Sequence, residues 1–486
     1  MSRNLKLCLA TLATVSAASV TACGGGSDGA VPPLEGGGSA LGSQPGHLVA
    51  AASPTIIVTT APELAAALSP ANAGARILVR AGVYDMSQAL TVPDEATLAG
   101  EGVMSFDESG LPTGFEASGR TVLRATVALE GDVLTLGDRS TVKDLVIEDV
   151  VGRPVAGNPV AVVSRAAGDF ISATITRCEL INPNPSAATQ ERPTGRGVAV
   201  VTRNPNLGDD PPPHEGALLQ LKMTQSIVRS PRGGDGVFAI NFASLSQISL
   251  DLKSNVIGGA LGVSGGVGRP DAVTGASVLI HSSRNLYRSD SPGPTTTGWQ
   301  LLGGADSPPS PLFVSEASTF NWLQIHSKHD RIEGVAIGIA AVGGRRIGPL
   351  AAPISSNRVE MNLLGTRLAT TTADLRLSGA RSLVPGVFPD EGNTLHVVVH
   401  QASGSGPRSN MYVDAATAPP GGSLGAGNRL EIVGNANAFD RTNEGFVPPP
   451  PAEFFTGGHV PRDRHDDGSE VRGNASGPES RKVGHR

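Results

Sequence analysis

The chain is short of aromatic side chains, of charge and of cysteine. Phe, Trp and Tyr make up 3% of its 486 residues and Asp, Glu, Lys and Arg 17%, with two tryptophans and three cysteines. An average soluble domain carries about 25% charged residues. The 38 basic and 44 acidic side chains leave a formal net charge of −6, which excludes a nucleic-acid binder held by phosphate contacts. Coiled coils, helical repeats and helix bundles rely on Glu, Lys, Leu and Ala and avoid Gly and Pro. Here 62 Gly and 37 Pro fill about a fifth of the chain, and Val, Thr and Ser are plentiful. That mixture predicts β structure with many turns.

Two of the cysteines sit near the N-terminus. Arg3 and Lys6 precede an uncharged, mostly apolar run from Leu7 to Val20, shorter than the ~20 residues of a membrane-spanning helix. The run ends Val20-Thr21-Ala22-Cys23 and is followed by Gly24-Gly25-Gly26-Ser27. This is similar to a bacterial lipobox, in which the cysteine becomes the lipidated first residue. It implies a signal peptide over 1–22, lipid on Cys23, and a flexible Gly/Ser/Pro-rich tether over 23–53. The membrane is then a partner through that lipid anchor. Gly24 and Gly25 do not resemble an inner-membrane retention signal, so the outer membrane or cell surface is the expected location. With Cys8 removed and Cys23 lipidated, Cys178 is left without a disulfide partner and reads as a small buried hydrophobe.

From residue 54 the texture changes. Thr55-Ile56-Ile57-Val58 reads as a strand. Thr60-Ala61-Pro62-Glu63 has the form of a capping box, followed by a short helix in Leu64-Ala65-Ala66-Ala67-Leu68. Further on, an apolar–any–apolar pattern recurs at Leu145/Ile147, Ala173/Ile175, Leu221/Met223, Leu250/Leu252, Val278/Ile280, Leu323/Ile325, Val359/Met361, Leu395/Val397 and Leu430/Ile432. Most intervals between successive pairs fall between 28 and 36 residues. The two longer ones contain Pro-rich stretches, in 182–216 and 287–311, read as excursions that interrupt the strands. Such a period suits one turn of a three-sided solenoid and is short for a propeller blade of about 40–50 residues; a pair of β-sandwiches is the other alternative. Small or polar residues follow the strands at Cys178, Ser226, Asn255, Ser283 and Asn435, where corners need backbone partners. The repeat domain is read over 54–456. Residues 457–486 are charged and almost free of large apolar residues, and read as a disordered tail.

The order strand, alanine-rich helix, strand, Ala81-Gly82-Val83-Tyr84, Thr97-Leu98-Ala99-Gly100-Glu101-Gly102 resembles the opening of pectin-lyase-like proteins. The resemblance implies an all-β, right-handed parallel β-helix with a short N-terminal capping helix. It also implies that polysaccharide binds on the outer face of one parallel sheet; a mainly basic stripe of residues there suits an acidic one. Family lyases hold calcium there on carboxylates and use Lys or Arg as base, and family hydrolases use clustered Asp. Neither signature is found in this sequence. No metal site is read from it, and calcium enters only if the chain is a lyase.

On the expected outer face, Asp251, Lys253, His281, His326 and Glu360 fall into one stripe. It mixes acids, imidazoles and an amine, the groups of general acid–base chemistry. Arg284, Lys328 and His329 lie at the adjoining turns as candidate anion-binding groups. A polar outer face is equally what any exposed sheet requires. The favoured function is therefore a non-catalytic, lipid-anchored envelope protein whose β-helix contacts polysaccharide or another surface. The alternative is a polysaccharide lyase or glycoside hydrolase with a divergent site, which gains if the two Pro-rich excursions wall the stripe.

Overall fold

A computed structural model describes residues 53–153, 157–184, 195–202, 215–230, 234–268, 271–291, 293, 296–306, 316–346, 353–382, 392–406, 409–416, 428–434, 463–464 and 470–471. The signal peptide, Cys23, nearly all of the tether and most of the tail lie outside these residues, as does Asn435. Among the described residues, no helix is long and apolar enough to cross a membrane.

The chain winds as a right-handed parallel β-helix. One face is a 12-stranded parallel sheet, from Thr55–Val58 to Arg429–Gly434. The second face stacks short strands such as Val146–Glu148, Glu179–Ile181, Ile227–Arg229 and Val256–Gly258. The third stacks Val160–Val163, Val198–Val201, Asp235–Ile240 and Ala260–Ser264. The second and third faces merge where Arg331–Arg346 and Arg367–Ser382 run through both. Alternate residues of each first-sheet strand point inward. Ile171, Leu219, Ile248, Val278, Leu323, Val359 and Leu395 form one buried row, paired coil to coil. Each coil buries its apolar positions against the next, so Val, Ile and Leu fill the core with few aromatics.

The helix Ala61–Ala67 begins as the capping box predicts, with one difference. Thr60 Oγ1 accepts from Glu63 N at 3.3 Å, but the Glu63 carboxylate accepts from the amide and hydroxyl of Thr59 at 2.8 and 2.9 Å. Leu64, Ala67 and Leu68 are buried in the core. Glu101 accepts from Ala81 N at 2.9 Å, tying together the two sequence signatures of this end.

Three readings of the repeat are corrected. Leu145/Ile147 belongs to the second face, because Ile147 pairs with Leu180 and Leu123; the first-sheet strand of that coil is Thr141–Lys143. An inward-facing strand shows the same period-2 pattern on any face. Second, Leu250/Leu252 pairs with Ile280/Ser282, not with Val278/Ile280. Ser282 takes an inward position because its hydroxyl bonds Tyr287 Oη at 2.8 Å and accepts from Asn285 Nδ2 at 3.0 Å. An apolar template slides back two residues to avoid it, and for the same reason Asn285, not Ser283, is the corner residue. Third, 287–311 is not one excursion. Thr297–Asp306 is a strand of the third face, and Trp299 is fully buried against Tyr287 in an edge-to-face pair with centroids 5.3 Å apart.

Two ladders of polar side chains hold the corners. After the first sheet, Ser226 Oγ accepts from Cys178 N, Asn255 Oδ1 from Ser226 N, Asn285 Oδ1 from Asn255 N, and Asp330 Oδ1 from Asn285 N, at 2.8–3.1 Å. Before it, Asn321, Asn357, Asn393 and Asn428 repeat the device at 2.9–3.1 Å. Cys178 is buried and unpaired, and burial pushes its thiol up to about 12. It is a packing residue.

Candidate functional site

The outer face of the first sheet carries four columns of side chains. Register runs Ser277–Trp322–Arg358 in the first, Ser249–Leu279–Gln324–Glu360–His396 in the second, Lys222–Asp251–His281–His326–Asn362 in the third, and Thr224–Lys253–Ser283–Lys328 in the fourth. Within a column, neighbours lie about 4.8 Å apart. The residues expected in one stripe therefore occupy three columns. Asp251, His281 and His326 are consecutive. Lys253 lies two residues along its strand, beside Lys328 with one rung between. Glu360 sits in the second column, diagonal to His326. The slip at Ser282 accounts for the displacement of Lys253.

His281 and His326 stack with ring centroids 5.4 Å apart and planes 13° from parallel. Partial burial lowers the His326 pKa, and its neighbour His281 lowers it further against the opposing pull of Glu360. Glu360 is engaged by Arg358. Lys222, Lys253 and Lys328 are exposed and, among the described residues, form no ion pair.

Both edges of the face are marked by left-handed backbone. Beyond the fourth column, Arg284 and His329 adopt φ 54° and 58° and follow one another, with Arg284 N bonded to Lys328 O. They join Lys253 and Lys328 in a basic edge. Asp330, from the same charged run of sequence, points inward and is fully buried; burial raises its carboxyl to about 6, against hydrogen bonds from Asn285 and Ser327. The opposite edge is apolar. Leu245 and Phe320 are 69% and 66% exposed, and Trp322 42%. Trp322 lies beside a repeat pair and was visible in the sequence. Leu245 and Phe320 were not, because outside the strand template an isolated apolar residue gives no signal.

No three His, Cys, Asp or Glu side chains gather into a metal-binding group among the described residues, so the calcium implied for a lyase finds no donor set there. A small cavity of about 170 Å³ lies elsewhere, under the hairpin of Met104–Phe106 and Pro112–Phe115 on the second face. Its arginines are already paired, Arg229 with Glu179 at 2.5 Å and Arg288 with Asp290 at 3.6 Å.

The excursions connect different corners. Residues 203–214 and 307–315 join the third face to the first sheet, and 185–194 joins the second to the third. These segments lie outside the described residues.

No protein-family model and no curated protein matches the chain. Among solved structures it is similar to the crystal structure of the Dettilon tailspike protein, at 10% identity and a TM-score of 0.33. The match covers 76% of this chain, which spans 64% of that one.

Proposed function

We propose that this β-helix binds an acidic polysaccharide on the outer face of its first sheet, and that Cys23 carries a lipid that holds the domain at the cell envelope. The observation that carries the binding reading is the basic edge: Lys253, Lys328, Arg284 and His329 on consecutive coils, with neither lysine neutralised by an ion pair. Basic side chains of this kind attract a polyanion and are screened by salt. The parallel stack holds them at fixed spacing, so little is spent on ordering the site. Titration of the full chain with polygalacturonate and with neutral dextran tests this. Binding of the first that weakens with salt, and none of the second, is expected. The anchor predicts incorporation of labelled palmitate that is lost in Cys23→Ala.

A second reading, polysaccharide cleavage, draws on one observation. His326 stacks on His281 and lies diagonal to Glu360, and its lowered pKa keeps a neutral imidazole available as a base there. It predicts unsaturated-sugar absorbance from polygalacturonate that disappears in His326→Gln.

A further inference from the structure

The corner before the first sheet places one residue in the left-handed region two positions ahead of most strands. Gly168, Gly216, Gly275 and Gly392 take it at φ 66–80°, as glycine does without steric cost. Leu245 and Phe320 take it too, at φ 57° and 56°, where a bulky side chain is strained. Both side chains are also mostly in water. Glycine would relieve the backbone and a polar residue would suit the exposure, so folding accounts for neither. Strain that stability does not require points to a site.

The register makes these residues neighbours. Leu245, Gly275, Phe320 and Ser356 follow one another along the corner, linked by Leu245 N to Thr274 O at 3.0 Å, Gly275 N to Thr319 O at 3.2 Å and Phe320 N to Ser355 O at 3.2 Å. Gly275 leaves a notch between the two apolar side chains, over which Leu245 Cδ2 leans, 3.1 Å from where a Cβ would stand. Trp322 adjoins Phe320 two residues on. The exposed Thr274 hydroxyl accepts from Thr319 Oγ1 at 3.2 Å at the rim of the notch.

We propose that Leu245, Phe320 and Trp322 form a stacking subsite for an uncharged pyranose ring of the polysaccharide bound by the same sheet; this rests on the polysaccharide reading. A pyranose presents C–H groups on its face and hydroxyls at its edge. An aromatic and aliphatic platform rimmed by threonine hydroxyls is its complement. Three side chains interrupted by a glycine fall well short of the ~800 Å² per partner of a protein interface. Trp322 and Lys328 are the two ends of one strand, roughly 20 Å apart. The polymer therefore lies along the strands, with uncharged rings at the apolar edge and carboxylates at the basic edge.

The test uses the full chain with two probes: hyaluronate, whose charged and uncharged rings alternate, and polygalacturonate, in which every ring is charged. Phe320→Gly should weaken hyaluronate binding about tenfold, leave polygalacturonate nearly unchanged, and hold or raise the Tm because the backbone is relieved. Trp299 is buried, so acrylamide quenching reports Trp322, and hyaluronate should protect it. Unchanged hyaluronate affinity in Phe320→Gly, with Trp322 equally quenchable with and without sugar, overturns the subsite and leaves the basic edge standing. Phe320-dependent self-association without any sugar effect overturns it as well. If neither polymer binds the unaltered chain, the polysaccharide reading falls and takes the subsite with it.

Discussion

Asp330 stands where the two preceding coils place Asn255 and Asn285. It accepts from Asn285 N at 2.8 Å and from Ser327 Oγ at 2.7 Å, with no cation bonded to it among the described residues. Its pKa is raised from 3.8 to about 6 by burial. The folded state therefore holds this proton more tightly than the unfolded chain. The stability it contributes is complete below about pH 4 and is lost as pH rises through about 6. Asp330→Asn keeps the ladder and removes the buried charge. It should stabilise the protein at pH 7.5 by up to about 3 kcal/mol and have little effect near pH 4, as denaturant unfolding at both pH values would show. Equal effects at the two pH values would contradict this account. At Gly304 an added Cβ would overlap the Asn357 amide, so Gly304→Ala should cost roughly 1–3 kcal/mol for overpacking and about 1 more for the disturbed ladder bond. Spacing from the preceding strand identifies Asn255 as a corner residue. It misses Asn285, Asn321, Asn357 and Asn393, because inward serines hide one strand end and the second corner precedes the strand used as template. The burial of Asp330 is equally hidden, since its neighbours Lys328 and His329 make the run look solvated.

Among the elements, the N-terminal helix follows most directly from local residues. Thr60 caps it, Pro62 lies in its first turn, and its buried face covers the first coil. Thr60→Ala should cost about 1 kcal/mol, measurable as a lower denaturation midpoint with an unchanged slope. The strands of the first sheet are legible wherever both inward positions are apolar, as in Leu323/Ile325 and Val359/Met361. The second face shows the pattern at Leu145/Ile147, where it is indistinguishable from a first-sheet strand, and elsewhere its three-residue strands such as Ile227–Arg229 are too short to show a period; the third face, with continuous apolar runs such as Val160–Val163, shows no alternation. The strand that holds Trp299 is hidden as well: the prolines before it read as a loop, and glycine at 298, 303 and 304 stands in place of a clean alternation. On the sheet face, register decides what touches what. His281 and His326 stack because Ile280 aligns with Ile325, a pairing the apolar template did recover. Burial and His281 hold the His326 pKa below the usual imidazole value, so its protonation adds positive charge near Lys328 only at lower pH. Polyanion binding should therefore tighten as pH falls below the ordinary imidazole range, and His326→Gln should flatten that dependence.

For the whole molecule, low charge and few aromatics suit a solenoid whose coils bury Val, Ile and Leu against one another. The same scarcity makes the exceptions informative. Phe320 and Trp322 on one side, and the unneutralised Lys253 and Lys328 on the other, mark the two edges of one sheet, while on the second face Arg229 is tied to Glu179 and Arg288 to Asp290. Composition and period establish the architecture. The grouping of the site depends on coil-to-coil register, which two inward serines are enough to shift. The central claim is that the first sheet binds an acidic polysaccharide through its basic edge. It is tested most directly by calorimetric titration of polygalacturonate into the full chain and into Lys253→Ala/Lys328→Ala at matched ionic strength. The account predicts that the double variant folds with unchanged stability and binds at least about tenfold more weakly, with a shallower salt dependence. Identical binding by the two proteins would contradict it.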